Sequence, residues 1–366
     1  MSEQELGILT NIKIKGFKSI KELDLDLKPI NIIIGQNGAG KSNFIGVFKL
    51  LYNIVNKDLQ FYIKKSGGAE RLLFFGSKVT KFIDIEINFK SSNKYELTLV
   101  PAVPDRLIFN KEIARFMEKG NWDDLENKSG DESELDSGKS PYKAPYIKKY
   151  LQGVRVYHFH DVGDNSPIKK TCDLSNNNFF DAQGENLPAM LYRFKENYSN
   201  EYEKIVSVIK MVAPFFQDFI LEPDDNKNIL LKWKHKGDDR PFDVNYLSDG
   251  TLRFIALATL LLQPDKFIPH TILIDEPELG LHPYALKVLA ELFKGVAKRG
   301  KQIIATSQSV EFVNEFSAED IIIADRKDDM SVLRRLGEKE VEQWLEEFSI
   351  GDIWSRNIIG GNPDDF

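Results

Sequence analysis

The sequence predicts an α/β chain with a mixed, largely parallel central sheet, an N-terminal antiparallel β subdomain and a small, mostly helical insertion. Continuous apolar, β-branched runs at residues 30–34, 271–274, 302–305 and 321–324 suit strands buried on both faces. Helix-period stretches at 41–55, 252–262 and 285–296 come between or after these runs, and strands alternating with helices specify a parallel sheet.

Taken in order, Ile12 and Ile14, then Leu23, Leu25 and Leu27, alternate with polar residues and predict two half-buried N-terminal strands. The run 30–34 then enters a glycine-rich turn followed by the helix-like stretch 41–55. Alternation returns at Ile83, Ile85 and Ile87 and at Tyr95, Leu97 and Leu99. With Ser91-Ser92-Asn93 between them, these runs predict an antiparallel hairpin. Residues 120–143 hold almost no apolar side chains, so burial cannot offset their ordering entropy and a mobile surface loop is expected. Helical spacing over 186–212 and strand-like composition over 218–233 make up the insertion. There are no heptads long enough for an extended coiled coil and no fixed-period repeat. The expected division is an N-terminal lobe at 1–105, an insertion and connecting segment at 106–240, and a C-terminal lobe at 241–366.

A chain of 366 residues with 42% hydrophobic and 29% charged residues can bury a sizeable core, which excludes disordered and fibrous classes. The single cysteine, Cys172, excludes an internal disulfide, and the opening residues lack the layout of a secretion signal, so the cytoplasm is the expected compartment. No apolar run reaches the length of about eighteen residues that a membrane span needs. A formal net charge of −7 argues against a surface coated in basic residues for wrapping DNA. A local stripe at Lys13, Lys15, Lys18 and Lys21 is compatible with that total, although alternation favours placing these lysines on the solvated face of an edge strand.

The strongest chemical signal is Gly35-Gln36-Asn37-Gly38-Ala39-Gly40-Lys41-Ser42, which fits G-x-x-x-x-G-K-[ST] between a predicted strand and a predicted helix. Backbone amides of such a turn close around phosphate oxygens, and the helix N-terminus that continues through Asn43 adds its positive end. Lys41 reaches the outer phosphates, and the Ser42 hydroxyl suits Mg2+. A second signal is the strand 271–274 running into Asp275-Glu276-Pro277, two carboxylates at the end of a sheet strand, where ligands of parallel sheets bind. There Asp275 suits Mg2+ and Glu276 suits polarising a water, although Asp-Glu-Pro is also an ordinary helix-start signal. A third is Leu247-Ser248-Asp249-Gly250-Thr251 before a helix, which by itself reads as an N-cap and in this order reads as a second phosphate contact. His158, His160 and Asp161 have a metal-like spacing without the further ligands a site needs, and their aromatic neighbours favour strand packing. No Ser-His-Asp set, cysteine cluster or dense acidic nuclease motif stands out, so any nuclease activity would belong to a partner.

Together GQNGAGKS, LSDGTLR and ILIDEPELGLHP resemble the ABC-type ATPase heads of the RecF, SMC and related AAA ATPase-domain group. The opening Ile14-Lys15-Gly16-Phe17-Lys18-Ser19-Ile20 looks like that group's first strand and turn. Residues 156–161 and 348–354, with Gly360-Gly361, are similar to a short bacterial subfamily without a long coiled coil. The resemblance implies ATP and Mg2+ as cofactors and a head-to-head homodimer with ATP between the P-loop of one copy and the signature motif of the other. Ser248, Asp249 and Gly250 would then act on the partner's γ-phosphate, residues 278–282 would form the interfacial D-loop, and Lys18 would lie near the nucleotide. It further implies action on DNA in repair or, as an alternative, a regulatory ATPase controlling a partner nuclease in anti-phage defence. Three departures stand out. Asp249 replaces a glycine common in transporters, Gln308 stands in Thr306-Ser307-Gln308-Ser309 where a switch histidine is expected, and the glutamine loop has no clear residue, with Gly76-Ser77 and their surroundings as candidates. An amide can hold a γ-phosphate or water but carries no charge, so slow hydrolysis is expected.

Overall fold

In the computed structural model, which describes residues 7–118, 121–127, 130–135 and 144–361, the N-terminal alternation becomes strands β1 (Leu9–Phe17) and β2 (Ile20–Asp26). The chain divides into two units. One holds residues 1–156, 269–273 and 300–366, the other residues 157–268 and 274–299.

In the first unit β1 and β2 join β4 (Ile83–Phe89), β5 (Lys94–Ala102), β6 (Arg106–Glu118) and β7 (Asn121–Asn127) in one sheet of order β2-β1-β4-β5-β6-β7. The register lines up Leu25, Ile12, Ile87 and Tyr95 in one row and Leu23, Ile14, Ile85 and Leu97 in the next, so the period-two pattern of four strands builds a single apolar face. Against that face packs α1 (Lys41–Val55), whose Phe44, Val47, Phe48 and Leu51 belong to the same core cluster. Each such side chain contributes roughly 1.5–3 kcal/mol by leaving water.

The second sheet contains β3 (Ile30–Ile34), β14 (Thr271–Ile274), β15 (Gln302–Ser307), β16 (Ile321–Lys327) and two strands absent from the sequence reading, β8 (Val154–Tyr157) and β17 (Met330–Arg335). Its order is β17-β16-β3-β15-β14-β8. β15 and β16 run parallel to β3, and β17 is antiparallel to β16. All residues of β3 and β14 are buried, which explains their unbroken apolar character.

Three expectations need correction. The boundary at 105 falls inside the antiparallel sheet, because β5 pairs with β6 from Ala102↔Arg106 to Lys94↔Arg115. Within the expected loop at 120–143, Asn121–Asn127 is strand β7, and Glu132 accepts hydrogen bonds from the Leu59 and Gln60 amides at 3.1 Å each. Ladder bonds to β6 hold this edge strand; residues 120, 128, 129 and 136–143 lie outside the described residues. Finally, β1 is an interior strand, and its lysines form no free basic stripe: Lys13 pairs with Asp24 at 3.4 Å and Lys15 with Glu22 at 2.8 Å.

The second unit is mainly helical, with α4 (Leu187–Asn197), α5 (Ser199–Val212), α6 (Asp249–Leu262) and α7 (Pro283–Lys298). The helical run 186–212 breaks at Tyr198, and the strand-like stretch after it forms a small sheet of β10 (Phe216–Ile220), β12 (Lys232–His235) and β13 (Pro241–Asp243). The first unit also holds helices α2 (Leu59–Lys65) and α3 (Ala144–Gln152), and the second the short antiparallel pair β9 (Cys172–Asp173) and β11 (Asn228–Ile229).

Candidate nucleotide site

The glycine-rich turn leaves β3 at Gly35 and opens α1 at Lys41. Gly40 sits at φ 107°, and a Cβ there would lie 2.0 Å from the Ser331 hydroxyl, so backbone conformation and space both demand glycine. As N-cap it offers no side-chain hydrogen bond, and the first turn of α1 contains no acid. The orphan amides of that turn are therefore left to an external anion, with the helix dipole in its favour. Lys41 is buried, and its ammonium donates to the Gly35 carbonyl at 2.6 Å and the Gln36 carbonyl at 3.1 Å, which keeps a positive charge folded over the loop. Ala39 is buried, whereas Asn37, Gly38 and the Ser42 hydroxyl residue are exposed. The donor set suits polyphosphate, and the Ser42 hydroxyl is a hard oxygen of the kind Mg2+ prefers.

The turn between β1 and β2 is tied to this loop. Asn43 donates to the Ser19 hydroxyl at 2.7 Å, and Ser19 and Ser331 share a further bond of 2.7 Å. Lys18, beside Ser19, has a left-handed φ of 49°, and its ammonium lies 5.5 Å from the Phe17 ring centre. Burial first, and then the charge of Lys49, lower the pKa of Lys18, an environment that an approaching anion would relieve. The other side of the loop is held by the chain's later residues: the Gln36 amide donates to the Gly361 carbonyl at 2.7 Å. In the sheet Ser307 is the Cα partner of Ile34, so Gln308 and Gly35 are the next residues on adjacent parallel strands. The exposed Gln308 thus leaves the sheet beside the phosphate loop.

In the second unit Asp275 and Glu276 follow β14 directly and are both half-buried. Glu276 adopts φ 43°, a region that costs a residue with a side chain about 1–3 kcal/mol and that clusters at functional sites. His160 Nε2 lies 2.6 Å from the Asp275 carbonyl, which fixes the main chain at this acidic pair. That contact, the His158–His160 ring separation of 6.3 Å and the packing of Tyr157 and Phe159 against Phe180 give the His-x-His segment a structural place. Among the described residues no group of three or more His, Cys, Asp or Glu is gathered for a metal.

Ser248 is the N-cap of α6: its hydroxyl accepts from the Thr251 amide at 3.2 Å and lies 2.8 Å from the Thr251 hydroxyl. The capping role weighed from the sequence is therefore real, and it leaves this serine and Asp249 exposed at a helix N-terminus. Gly250 is required by close approach, since a Cβ would meet the Gly280 carbonyl at 2.1 Å. The segment 276–281 turns on itself, with the Leu279 amide bonded to the Glu276 carbonyl at 3.3 Å and the Leu281 amide to the Glu278 carbonyl at 3.0 Å.

Sequence reasoning passed over two side chains of this unit. Arg253, three residues after Gly250, donates to the main-chain carbonyls of Phe159 (3.0 Å), His160 (2.8 Å) and Leu279 (3.0 Å), and so joins the signature helix to the His160 segment and the 276–281 turn. Lys169 is buried and stands 3.6 Å from Asp249. The arginine closing LSDGTLR was visible in the motif, but nothing in the spacing pointed to Lys169. Gly76 and Ser77 begin a one-turn helix, Gly76–Val79, in which the Ser77 amide is bonded to Glu70 at 2.9 Å.

The fold and the phosphate loop together define a P-loop head with the RecF/SMC-like, ABC-type fold. The chain belongs to the family described as "AAA domain, putative AbiEii toxin, Type IV TA system", whose model matches residues 30–314. Similar curated proteins include the Old nuclease of Escherichia phage P2, 21% identical over 93% of this chain and 63% of that protein. The OLD nuclease of Thermus scotoductus is 23% identical over 98% of this chain and 68% of that one. The ATP/GTP phosphatase of Helicobacter pylori is 22% identical over 84% and 86%. The chain thus spans 63% of the length of the phage relative. Among solved structures, an SMC head bound to the C-winged helix domain of ScpA superposes with a TM-score of 0.62 at 15% identity, covering 92% of this chain and 99% of that one. A second SMC head, from Pyrococcus furiosus, gives 0.58 at 15% identity over 93% and 98%. At this identity the likeness establishes the fold. Among the described residues no helix is long and apolar enough to cross a membrane.

Proposed function

We propose that this chain binds and hydrolyses ATP at a site shared between two copies of itself, and that it acts on DNA. The observation that carries the reading is the uncapped, acid-free N-terminus of α1 with Lys41 folded over the loop, a donor set suited to a polyphosphate. Residues 35–43 and Lys18 would hold the nucleotide of their own copy. Mg2+, held by Ser42 and Asp275, would supply charge neutralisation at the phosphate oxygens. Glu276 would orient and polarise the attacking water, with Gln308 hydrogen-bonding it or the γ-phosphate without adding charge. Ser248, Asp249 and Gly250 would face the nucleotide of the other copy. The exposed Tyr246, Leu279 and Tyr284, close in sequence to the signature and the 276–281 turn, fit an association surface.

DNA as the object of this cycle is supported by the relatives named as nucleases. The cross-strand pairing of Lys13 and Lys15 means that the contact would come from another surface. The alternative, a regulatory ATPase that restrains a partner nuclease in anti-phage defence, is favoured by the toxin system in the family's description. Light scattering of the Glu276→Gln chain with ATP and Mg2+ tests the reading. A doubling of mass is expected, with a further salt-sensitive gain when DNA is added. ATP-dependent doubling with no DNA response at any salt would remove DNA and leave the effector alternative.

A further inference from the structure

Asp249 is the first residue of α6, where the proposed function brings a γ-phosphate of the other copy. A carboxylate at that point opposes an anion that the helix N-terminus and Ser248 would otherwise attract. The same carboxylate has an unusual partner: the Lys169 side chain is only 5% exposed, its ammonium is 3.6 Å from Asp249 Oδ1, and Asp249 itself is 59% exposed. A buried ammonium is costly unless a counter-charge meets it, so this lysine is committed to the face that Asp249 occupies. It is placed there by a short 3-10 turn, Pro167–Lys169, whose Ile168 is buried and whose Lys169 amide is bonded to the Ser166 carbonyl at 3.1 Å. The signature helix cannot easily shift to avoid the pair, because Arg253 and the Gly250–Gly280 approach fix its first turns.

We propose that Lys169 is a positioning residue for the signature motif, neutralising Asp249 so that the γ-phosphate arriving from the other copy meets a paired carboxylate. This rests on the reading of Ser248 and Gly250 as contacts made across the two copies. The departure of Asp249 from the glycine common in transporters is thereby compensated within the chain, and Lys169 becomes part of what lets a triphosphate close the dimer.

The test is an ATP titration of the Glu276→Gln chain with Mg2+, reading mass by light scattering. Lys169→Met should raise the ATP concentration for half-dimerisation by about tenfold, the size expected for coupled residues in contact. Adding Asp249→Asn to Lys169→Met should restore most of that loss, and Lys169→Arg should keep the parent value. Asp249→Asn alone should lower the required ATP, because the lysine is then free to face the phosphate. The proposal is overturned if Lys169→Met matches its parent, if the double variant is no better than the single, or if Asp249→Asn weakens dimerisation as much as Lys169→Met does. A parent chain that binds ATP without doubling in mass would instead overturn the shared-site reading, and this inference with it.

Discussion

Replacing Arg253 tests how the signature helix is coupled to the segments around it. Its guanidinium donates three hydrogen bonds, to the carbonyls of Phe159, His160 and Leu279. At about 1 kcal/mol net for each, Arg253→Met should lower the local stability of α6 by about 3 kcal/mol. Arg253→Lys should lose about 2 kcal/mol, because a single ammonium on a flexible stem cannot span three carbonyls matched to a planar fork. Hydrogen exchange of the α6 amides, followed by mass spectrometry, reads this opening energy directly. Protection should fall about a hundredfold in Arg253→Met and by a clearly smaller factor in Arg253→Lys, since 1.4 kcal/mol is about a factor of ten. Unchanged protection in Arg253→Met would refute the coupling, and equal losses in both variants would refute the argument from fork geometry.

Gly250→Ala places a methyl group 2.1 Å from the Gly280 carbonyl and should cost about 1–3 kcal/mol in urea unfolding, whereas Gly295→Ala, with no atom within 4 Å of the added Cβ, should not destabilise. Glu276→Gln should leave ATP binding intact and slow phosphate release in single turnover by about 10²- to 10⁴-fold. Lys41→Ala should abolish binding of a fluorescent ATP analogue, since its ammonium is the charge held over the loop by the Gly35 and Gln36 carbonyls. Stability should fall in alkali as well. Burial, aided by Glu112, raises the Tyr95 hydroxyl well above its usual pKa, so the native chain keeps a proton that the unfolded chain releases near pH 10. This contribution is complete below about pH 10 and is lost above it, and urea titrations from pH 8 to 11 should show a shallower loss for Tyr95→Phe than for its parent.

Where one residue pattern decides one structure, the sequence was legible. The alternation at Ile12, Ile14, Ile85, Ile87, Tyr95 and Leu97 became one apolar face, and the β-branched runs became buried strands, because burial on one side or two is what those periods encode. The phosphate loop was legible because its glycines answer local demands, such as the positive φ and absent Cβ space at Gly40. The edge strand Asn121–Asn127 was missed because a mostly polar stretch paired by ladder hydrogen bonds leaves no hydrophobic signature, and β17 was missed because its two buried positions, Ser331 and Leu333, include only one apolar residue. Lys169 beside Asp249, His160 against the Asp275 carbonyl and Gly361 on the Gln36 amide join residues distant in the chain, and no periodicity announces such contacts. Lys13 and Lys15 looked like a basic stripe because their partners Asp24 and Glu22 stand on the next strand.

Mixing two disabled chains tests the shared site most directly. Lys41→Ala lacks the loop's charge and Ser248→Arg blocks the signature, so each alone should fail to hydrolyse ATP. A mixed dimer would still combine an intact loop from one chain with an intact signature from the other. Mixing should therefore restore steady-state phosphate release. If both variants fold and associate yet the mixture stays inactive, or if Ser248→Arg alone keeps full activity, the site is not completed by a second copy.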